Sequence, residues 1–274
     1  MPLPFAGNPI GKPFIELQSI DSTNKYAMAL VHGDILPDGQ GEPQHGMAIF
    51  SHEQTAGKGQ RGKNWVSEKD ANIALSILLN PFPLSIPDQF KLSVCIAASA
   101  RHLFSKYAGD ETKIKWPNDL YWRDRKAGGV LIENVIGSLA PIATALGIGP
   151  EKSEAWKWSV VGIGININQT SFPVGLPNPV SLKQITGRNY EPVELAKELC
   201  SIIEENYQTL IAGNFETVFS KYLAHLYKKD EKVKLKKGNR VFETTIKGVS
   251  ATGQLITQHS IEESFEFGEV EWIL

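Results

Sequence analysis

Apolar positions along the chain follow two spacings, one typical of strands and one typical of helices. Short apolar runs bounded by Gly, Pro or Asp predict strands at residues 14–20, 47–52, 72–79, 113–116, 129–133 and 158–167. Apolar positions three and four apart predict helices at residues 88–107, 191–211 and 215–227. The polar run at residues 21–24 predicts the N-terminal cap of one more helix, which carries Tyr26 and Leu30 on its apolar face.

The pattern changes after residue 228. Short alternating runs are separated there by turn signals at Gly238-Asn239, Thr252-Gly253 and Gly268. Short alternating runs with frequent turns predict a small β barrel or sandwich of about 45 residues. We therefore expect two domains, at residues 1–227 and 228–274.

Composition narrows the class of protein. Hydrophobic residues make up 42% of the 274 residues and charged residues 21%, which excludes coiled-coil, collagen-like and disordered classes. The formal net charge of −2 gives no overall field for nucleic acid or an anionic membrane, so phosphate chemistry needs locally placed cations. The two cysteines, Cys95 and Cys200, lie in apolar helix-like segments without metal-ligand spacing. Without a signal sequence or an apolar run of ~18 residues, we expect a cytoplasmic protein with no membrane partner.

A glycine-rich basic loop at residues 57–64, GKGQRGKN, is the first candidate site. It matches both the dinucleotide-binding and the P-loop patterns, but it leads into a strand rather than a helix, and Asn64 stands where a P-loop needs Ser or Thr. What remains is the chemistry that the two patterns share, in which glycine backbone N–H groups approach an anion and Lys58, Arg61 and Lys63 supply positive charge. A solvated hairpin tip stays open as the alternative.

Three further motifs carry polar groups at element ends. KWPND (115–119) turns at Asn118-Asp119 and is followed by RKAGG (125–129), in which Lys126 precedes two glycines that let backbone approach a ligand. GIGIN (162–166) has strand glycines, which mark close approach of a backbone or a ligand, although taken alone the motif is better explained by a core strand with a terminal turn residue. STN (22–24) reads first as a helix cap.

Taken together and in order, these motifs resemble the biotin–protein ligase family. The segments are STN (22–24), QTAGKGQRGKNW (54–65), KWPND, RKAGGVLIE (125–133) and GIGIN, and they cover most of residues 15–170. The resemblance implies an α/β (α+β) fold, in which a mixed sheet of the class II synthetase type is backed by helices. It also implies that the C-terminal β module is an SH3-like barrel.

The resemblance further implies a two-step reaction with ATP and biotin as substrates. The biotin carboxylate attacks the α-phosphate of MgATP to form biotinyl-5′-AMP, and a lysine of a biotin carboxyl carrier protein domain then takes the biotin. By resemblance the catalytic residues are Lys126, Arg61 and Asp119. The implied biotin contacts are Ser22, Thr23, Gln54, Gly57, Lys58, Lys126 and Gly128. The implied ATP or adenylate contacts are Lys58, Arg61, Trp65, Asn118, Lys126 and Asn166. Asp119 has a second candidate role, as a ligand of the Mg²⁺ that accompanies ATP.

Some features depart from the family pattern or leave choices open. Gln60 stands where the commonest form of the loop has Arg, so it either weakens the hold on the adenylate phosphate or faces solvent. Residues 137–157 form an unusually long link to which we assign no role. Only residues 1–13 precede the first strand, so we expect no DNA-binding domain and no DNA partner. A lipoate–protein ligase and a non-catalytic biotin or adenylate sensor remain as alternatives, and the oligomer is a monomer or a homodimer.

Overall fold

Seven strands form the larger of two sheets in a computed structural model, which describes residues 8–35, 42–138, 154–176 and 178–273. The strands are β1 (Phe14–Leu17), β2 (Ala48–Ser51), β3 (Asn72–Leu79), β4 (Thr112–Lys115), β5 (Asp119–Trp122), β6 (Arg125–Ser138) and β7 (Glu154–Asn166). Their spatial order is β1-β2-β3-β7-β6-β5-β4, in which β1 and β2 are parallel and the other pairs are antiparallel. The expected mixed sheet is confirmed.

Helices cover both faces of this sheet. They are α1 (Thr23–His32), α2 (Gln89–Ala108), α3 (Leu182–Thr186), α4 (Pro192–Ile211) and α5 (Phe215–Ala224). Because side chains alternate along a strand, Ile73, Leu75 and Ile77 of β3 point into the main core with α2 and α4, whereas Leu78 joins α1 on the opposite face. None of the described helices is long and apolar enough to cross a membrane.

The structure corrects the sequence-based assignment at four places. Residues 119–122, which the sequence reading left in a turn, form β5, and Lys126 lies within β6. The first strand ends at Leu17, and Ile20 makes only a single bridge to Gln54. Helix α3 was not predicted, because its five residues are too few to show a helical period in the sequence. Of the long link at 137–157, the two ends extend β6 and β7, and residues 139–153 lie outside the described residues.

A second, five-stranded antiparallel sheet follows, as the turn pattern predicts. Its strands are β8 (Lys232–Lys237), β9 (Arg240–Val249), β10 (Leu255–Gln258), β11 (Glu262–Phe265) and β12 (Glu271–Ile273), in the order β11-β10-β9-β8-β12. The arrangement is consistent with an SH3-like module. It packs against the larger sheet through Trp116, whose Nε1 donates to the Gly253 carbonyl over 2.9 Å. The boundary after residue 227 stays a prediction.

Both cysteines are free and buried. Burial raises the pKa of the Cys200 thiol to about 12 and that of Cys95 still further. Neither thiolate forms at neutral pH, so these residues act as packing groups.

Strand packing by itself requires a glycine at position 128. A Cβ at this position of β6 would lie 2.6 Å from the Gly164 carbonyl oxygen and 3.3 Å from Ile165 Cα, both on the neighbouring strand β7. The Gly128 backbone stays available to a ligand, so its expected contact with biotin stays a prediction.

We expect Gly128→Ala to lower the free energy of unfolding by ~2 kcal/mol, because the added methyl overpacks the sheet centre against rigid backbone. Chemical denaturation measures this change. Gly248→Ala in β9 is the matched control, since a Cβ there meets no atom within 4 Å. Equal stabilities of the two variants would contradict the packing explanation.

Candidate active site

One row of positions across the larger sheet organises the site. Ser76 of β3 pairs with Gly162 of β7, and Gly164, two residues along β7, pairs with Gly129 of β6. All four lie on the face opposite to α2, because Ile163 between the two β7 glycines points into the main core. Each glycine of the row makes room for a side chain that arrives from a different part of the chain.

At one end of the row, the start of α1 forms a buried polar network. Thr23 donates through its backbone N and its Oγ1 to Gln54 Oε1, over 2.9 and 3.1 Å. Ser76 Oγ lies 2.8 Å from Thr23 Oγ1 and 2.6 Å from Asn24 Oδ1. The network fixes the Thr23 and Gln54 side chains before any ligand binds.

Ser22 stands apart from this network. It occupies the N-cap position of α1, but its side chain makes no capping hydrogen bond, so the cap interpretation of the STN motif is wrong for the Ser22 hydroxyl. Its Oγ is buried, and no hydrogen-bond partner is found for it in the described parts of the chain. A buried hydroxyl without a partner costs free energy, and a ligand that bonds to it relieves that cost.

Gly162 makes room for Asn24. A Cβ on Gly162 would lie 2.2 Å from Asn24 Oδ1, so the sheet needs a glycine at this position. Asn24 Nδ2 donates to Glu133 Oε2 over 2.9 Å, and Glu133 Oε1 lies 3.7 Å from Lys58 Nζ. The start of α1, strand β6 and the glycine-rich loop are thus connected through Glu133.

The glycine-rich loop forms a short hairpin. Trp65 N donates to the Gly57 carbonyl over 2.9 Å, Gly59 N donates to the Lys63 carbonyl over 2.6 Å, and a 3-10 turn over Gln60–Gly62 closes the tip. The Trp65 ring lies against Gly164, where a Cβ would come within 2.6 Å of it. Its indole Nε1 is also buried, with no hydrogen-bond partner among the described residues.

Gln60 anchors this loop to the sheet. Its Nε2 donates to Asn118 Oδ1 and to the Val130 carbonyl, each over 2.8 Å. The alternative that Gln60 faces solvent is therefore wrong. Asn118 in turn donates to Ser93 Oγ of α2 over 3.2 Å.

At the other end of the row, Lys126 and Asp119 form an ion pair. Lys126 Nζ lies 2.7 Å from Asp119 Oδ1, and both side chains are about one-third exposed. Gly129 lies beneath the pair, because a Cβ there would come within 2.8 Å of Asp119 Oδ1 and 3.5 Å of Lys126 Nζ. A lysine and a carboxylate therefore stand together where the row opens to solvent.

Lys115 adds a second, buried cation next to this pair. Its Nζ lies 3.2 Å from Tyr121 Oη, and 4.8 and 5.2 Å from the ring centroids of Tyr121 and Trp272. Burial lowers the pKa of Lys115 from 10.5 to about 8, against the opposing effect of the Asp119 carboxylate. The sequence reading quoted this lysine within KWPND and assigned it no role.

Asn118 and Asn166, which are expected to contact the nucleotide, both form hydrogen bonds within the protein. Asn118 bonds Gln60 and Ser93 as above, and Asn166 Nδ2 donates to the Val180 carbonyl over 3.1 Å. An adenine edge therefore has to use their remaining donor and acceptor positions or replace these partners. Their nucleotide role stays a prediction.

Besides Lys115, three further residues of this site have no role predicted from the sequence: Asn24, Ser76 and Glu133. Ser76 is the polar residue in the middle of the otherwise apolar stretch Ile73–Leu79, and a buried hydroxyl in such a strand needs a partner. That signal was available in the sequence. Asn24 and Glu133 end quoted motifs, but their bond spans 109 positions and depends on the folded sheet.

Known proteins are similar to this chain in sequence and in fold. A profile of the biotin/lipoate A/B protein ligase family matches residues 17–148. The biotin--[acetyl-CoA-carboxylase] ligase of Paracoccus denitrificans is 26% identical over 247 residues, which are 88% of this chain and 92% of that protein. Residues 17–148 are thus similar to the biotin/lipoate A/B protein ligase family.

The similar proteins differ in how much of their own length this chain covers. The bifunctional ligase/repressor BirA of Escherichia coli is 37% identical over 136 residues, 48% of this chain but only 39% of BirA. The chain thus spans less than half of that relative. A solved biotin protein ligase of Aquifex aeolicus, in complex with biotin and ATP, superposes with a TM-score of 0.73 at 23% identity, covering 94% of this chain and 97% of that one. At this identity the match shows a shared fold.

The Lys115 environment predicts a pH dependence of stability. Because its pKa is lowered in the folded protein, Lys115 loses its proton near pH 8 when folded but only near pH 10.5 when unfolded. The unfolded state binds more protons between these values, so stability rises with pH, by at most ~1.4 kcal/mol per pH unit for one proton. We expect the stability of the wild type relative to Lys115→Met to increase over this window.

Denaturation at several pH values measures this difference. Lys113→Met, two residues earlier on β4, controls for loss of a lysine from the same strand. A difference between wild type and Lys115→Met that stays flat from pH 8 to 10 would show that the amine is not desolvated.

Proposed function

We propose that this chain is an ATP-dependent biotin–protein ligase. In the first step a biotin carboxylate oxygen bonds to the α-phosphorus of ATP, and the bond to the leaving pyrophosphate breaks. In the second step a lysine amine of a biotin carboxyl carrier protein domain attacks the acyl carbon, AMP leaves, and the amine gives up a proton. The names of the relatives and the polar groups of the site support this assignment.

The observation that carries the proposal is the collection of cations around one sheet face in a chain of net charge −2. The first step brings a carboxylate to a phosphate, and two unit charges 4 Å apart repel by about 4 kcal/mol at an effective dielectric constant of about 20. Lys126, Arg61 and Lys58 are the groups proposed to offset this repulsion. Lys126 acts at the junction of carboxylate and phosphate, where its partner Asp119 keeps it in place.

The biotin end of the site is proposed to lie at the start of α1. A ureido ring carries a carbonyl acceptor and two N–H donors, and the unpartnered Ser22 Oγ with the fixed Thr23 and Gln54 side chains suits such a ring. Gly57 and Gly128 contribute backbone only. Lipoate carries a dithiolane ring without strong donors or acceptors, so this polar end favours biotin over the lipoate alternative within the family.

The adenylate end is proposed to lie along Trp65, Asn118 and Asn166, with the Trp65 ring supplying a stacking surface. Asp119 orients the attacking lysine or contacts Mg²⁺ that arrives with ATP. Within the described chain no group of three His, Cys, Asp or Glu side chains could hold a metal, so one carboxylate fits only an ion held largely by the nucleotide phosphates.

The test is to incubate the protein with MgATP, a carrier domain, and either biotin or lipoate, and to weigh the carrier. The proposal predicts addition of one biotinyl group at the carrier lysine. Addition of lipoyl alone would favour the lipoate ligase, and binding of biotin without adenylate or transfer would favour a sensor.

Ser22 gives a sharper test of the biotin end. Because its buried hydroxyl has no partner among the described residues, we expect Ser22→Ala to keep or raise the free energy of unfolding, by up to about 1 kcal/mol. The same change should weaken biotin binding by about tenfold, since one hydrogen bond to the ligand is lost. Calorimetric titration with biotin and thermal unfolding measure the two effects.

Ser76→Ala is the matched comparison. It removes a hydroxyl that bonds Thr23 and Asn24, so it should lower the free energy of unfolding by ~1–3 kcal/mol as well as weaken biotin binding. If Ser22→Ala binds biotin as well as wild type does, Ser22 is not a ligand contact.

A further inference from the structure

Arg61, at the tip of the glycine-rich loop, reaches the second sheet. Its Cζ lies 4.7 Å from the centre of the Phe267 ring, in the turn between β11 and β12. A guanidinium over an aromatic face at this distance is held by the ring's electron density. The contact joins the two sheets through a residue expected to act on phosphate.

The next residue of the turn, Gly268, provides the space for the guanidinium. An ideal Cβ on Gly268 would lie only 1.6 Å from Arg61 Nη2, so any side chain there would displace the arginine. Gly268 also has a φ of +95°, which favours glycine on its own account. Phe267 and Gly268 together form what we term the arginine notch.

The notch holds Arg61 without neutralising it. None of the carboxylates that the structure describes forms an ion pair with Arg61, although Glu266 and Glu269 flank the notch. Glu266 Oε1 instead accepts a hydrogen bond from Gln254, and Glu269 pairs with Lys237. The guanidinium therefore keeps its charge available for a phosphate.

The backbone of Arg61 needs such an outside contact. Its φ of 55° lies in the left-handed region, which a residue with a Cβ rarely adopts without support. Phe267 is supported in turn by Trp116, whose ring meets it edge-on at 5.9 Å. Trp116 precedes Pro117-Asn118-Asp119, so the notch is tied to the turn that carries the Asp119 carboxylate.

We propose that Phe267 and Gly268 are positioning residues, which hold Arg61 where it meets the phosphate of the nucleotide or adenylate. The inference rests on the proposed ligase function for the phosphate itself. The C-terminal module then contributes to chemistry through Arg61.

The test compares Gly268→Ala with Gly238→Ala. Both glycines have positive φ in turns of the second sheet, and a Cβ at Gly238 meets no atom within 4 Å, so Gly238→Ala controls for the loss of a turn glycine outside the notch. In biotin-dependent pyrophosphate release, Gly268→Ala should raise the KM for ATP about fivefold relative to Gly238→Ala. Without ligands, tryptic cleavage after Arg61 should increase relative to cleavage after Lys63.

A second pair of variants changes the ring alone. Phe267 is half exposed, so Phe267→Leu is expected to fold, and it should reproduce both effects of Gly268→Ala, whereas Phe267→Tyr, which keeps an aromatic face, should restore wild-type values. Equal KM and equal cleavage for Gly268→Ala and Gly238→Ala would overturn the inference. If the wild type forms no biotinyl adenylate, the proposed function fails, and the cleavage ratio alone decides whether the notch holds Arg61.

Discussion

The ion pair between Lys126 and Asp119 lies where the larger sheet, the glycine-rich loop and the second sheet come together. Asp119 begins β5 and pairs in register with Lys115, while Asn118 before it accepts a hydrogen bond from Gln60 of the loop. Trp116, at the start of the same turn, bonds the Gly253 carbonyl of the second sheet. A shift of this turn would therefore move Lys126, the loop anchor and the second sheet together. Gly129 lies beneath the ion pair, and any side chain at this position would displace the Asp119 carboxylate.

A chain of nearly zero net charge has to keep several cations near one another before their anion arrives. The cations are held by two kinds of partner. Carboxylates hold Lys126 and, at a longer distance, Lys58, whereas aromatic rings hold Lys115 and Arg61. Aromatic faces attract a cation without cancelling its charge, and an ion pair with about one-third of each side chain exposed exchanges its partner at modest cost. The arrangement leaves these cations available to the nucleotide phosphates of the proposed function.

The sequence predicted the main strands and helices, because hydrophobic periodicity is a local property, whereas the roles of the site residues stay predictions. Strand β3 was predicted with its observed bounds, and the glycines at 162 and 164 were identified as points of close approach. What approaches them, Asn24 and Trp65, could not be predicted, since these contacts cross the sheet between segments far apart in sequence. For the same reason the sequence assigned the Ser22 hydroxyl to a helix cap. It also did not predict the hydrogen bonds of Gln60 to the larger sheet or the contact of Arg61 with Phe267 in the second sheet.

The central claim is that Ser22 and Lys126 mark the two ends of one biotinyl-adenylate site. The most direct test is a crystal structure of the protein with a nonhydrolysable analogue of biotinyl-5′-AMP. The account predicts that Ser22 Oγ lies about 3 Å from the ureido carbonyl and that Lys126 Nζ contacts the acyl-phosphate end of the analogue. An analogue bound elsewhere, or a Lys126 that pairs with Asp119 alone while Ser22 Oγ stays without a partner, would contradict it.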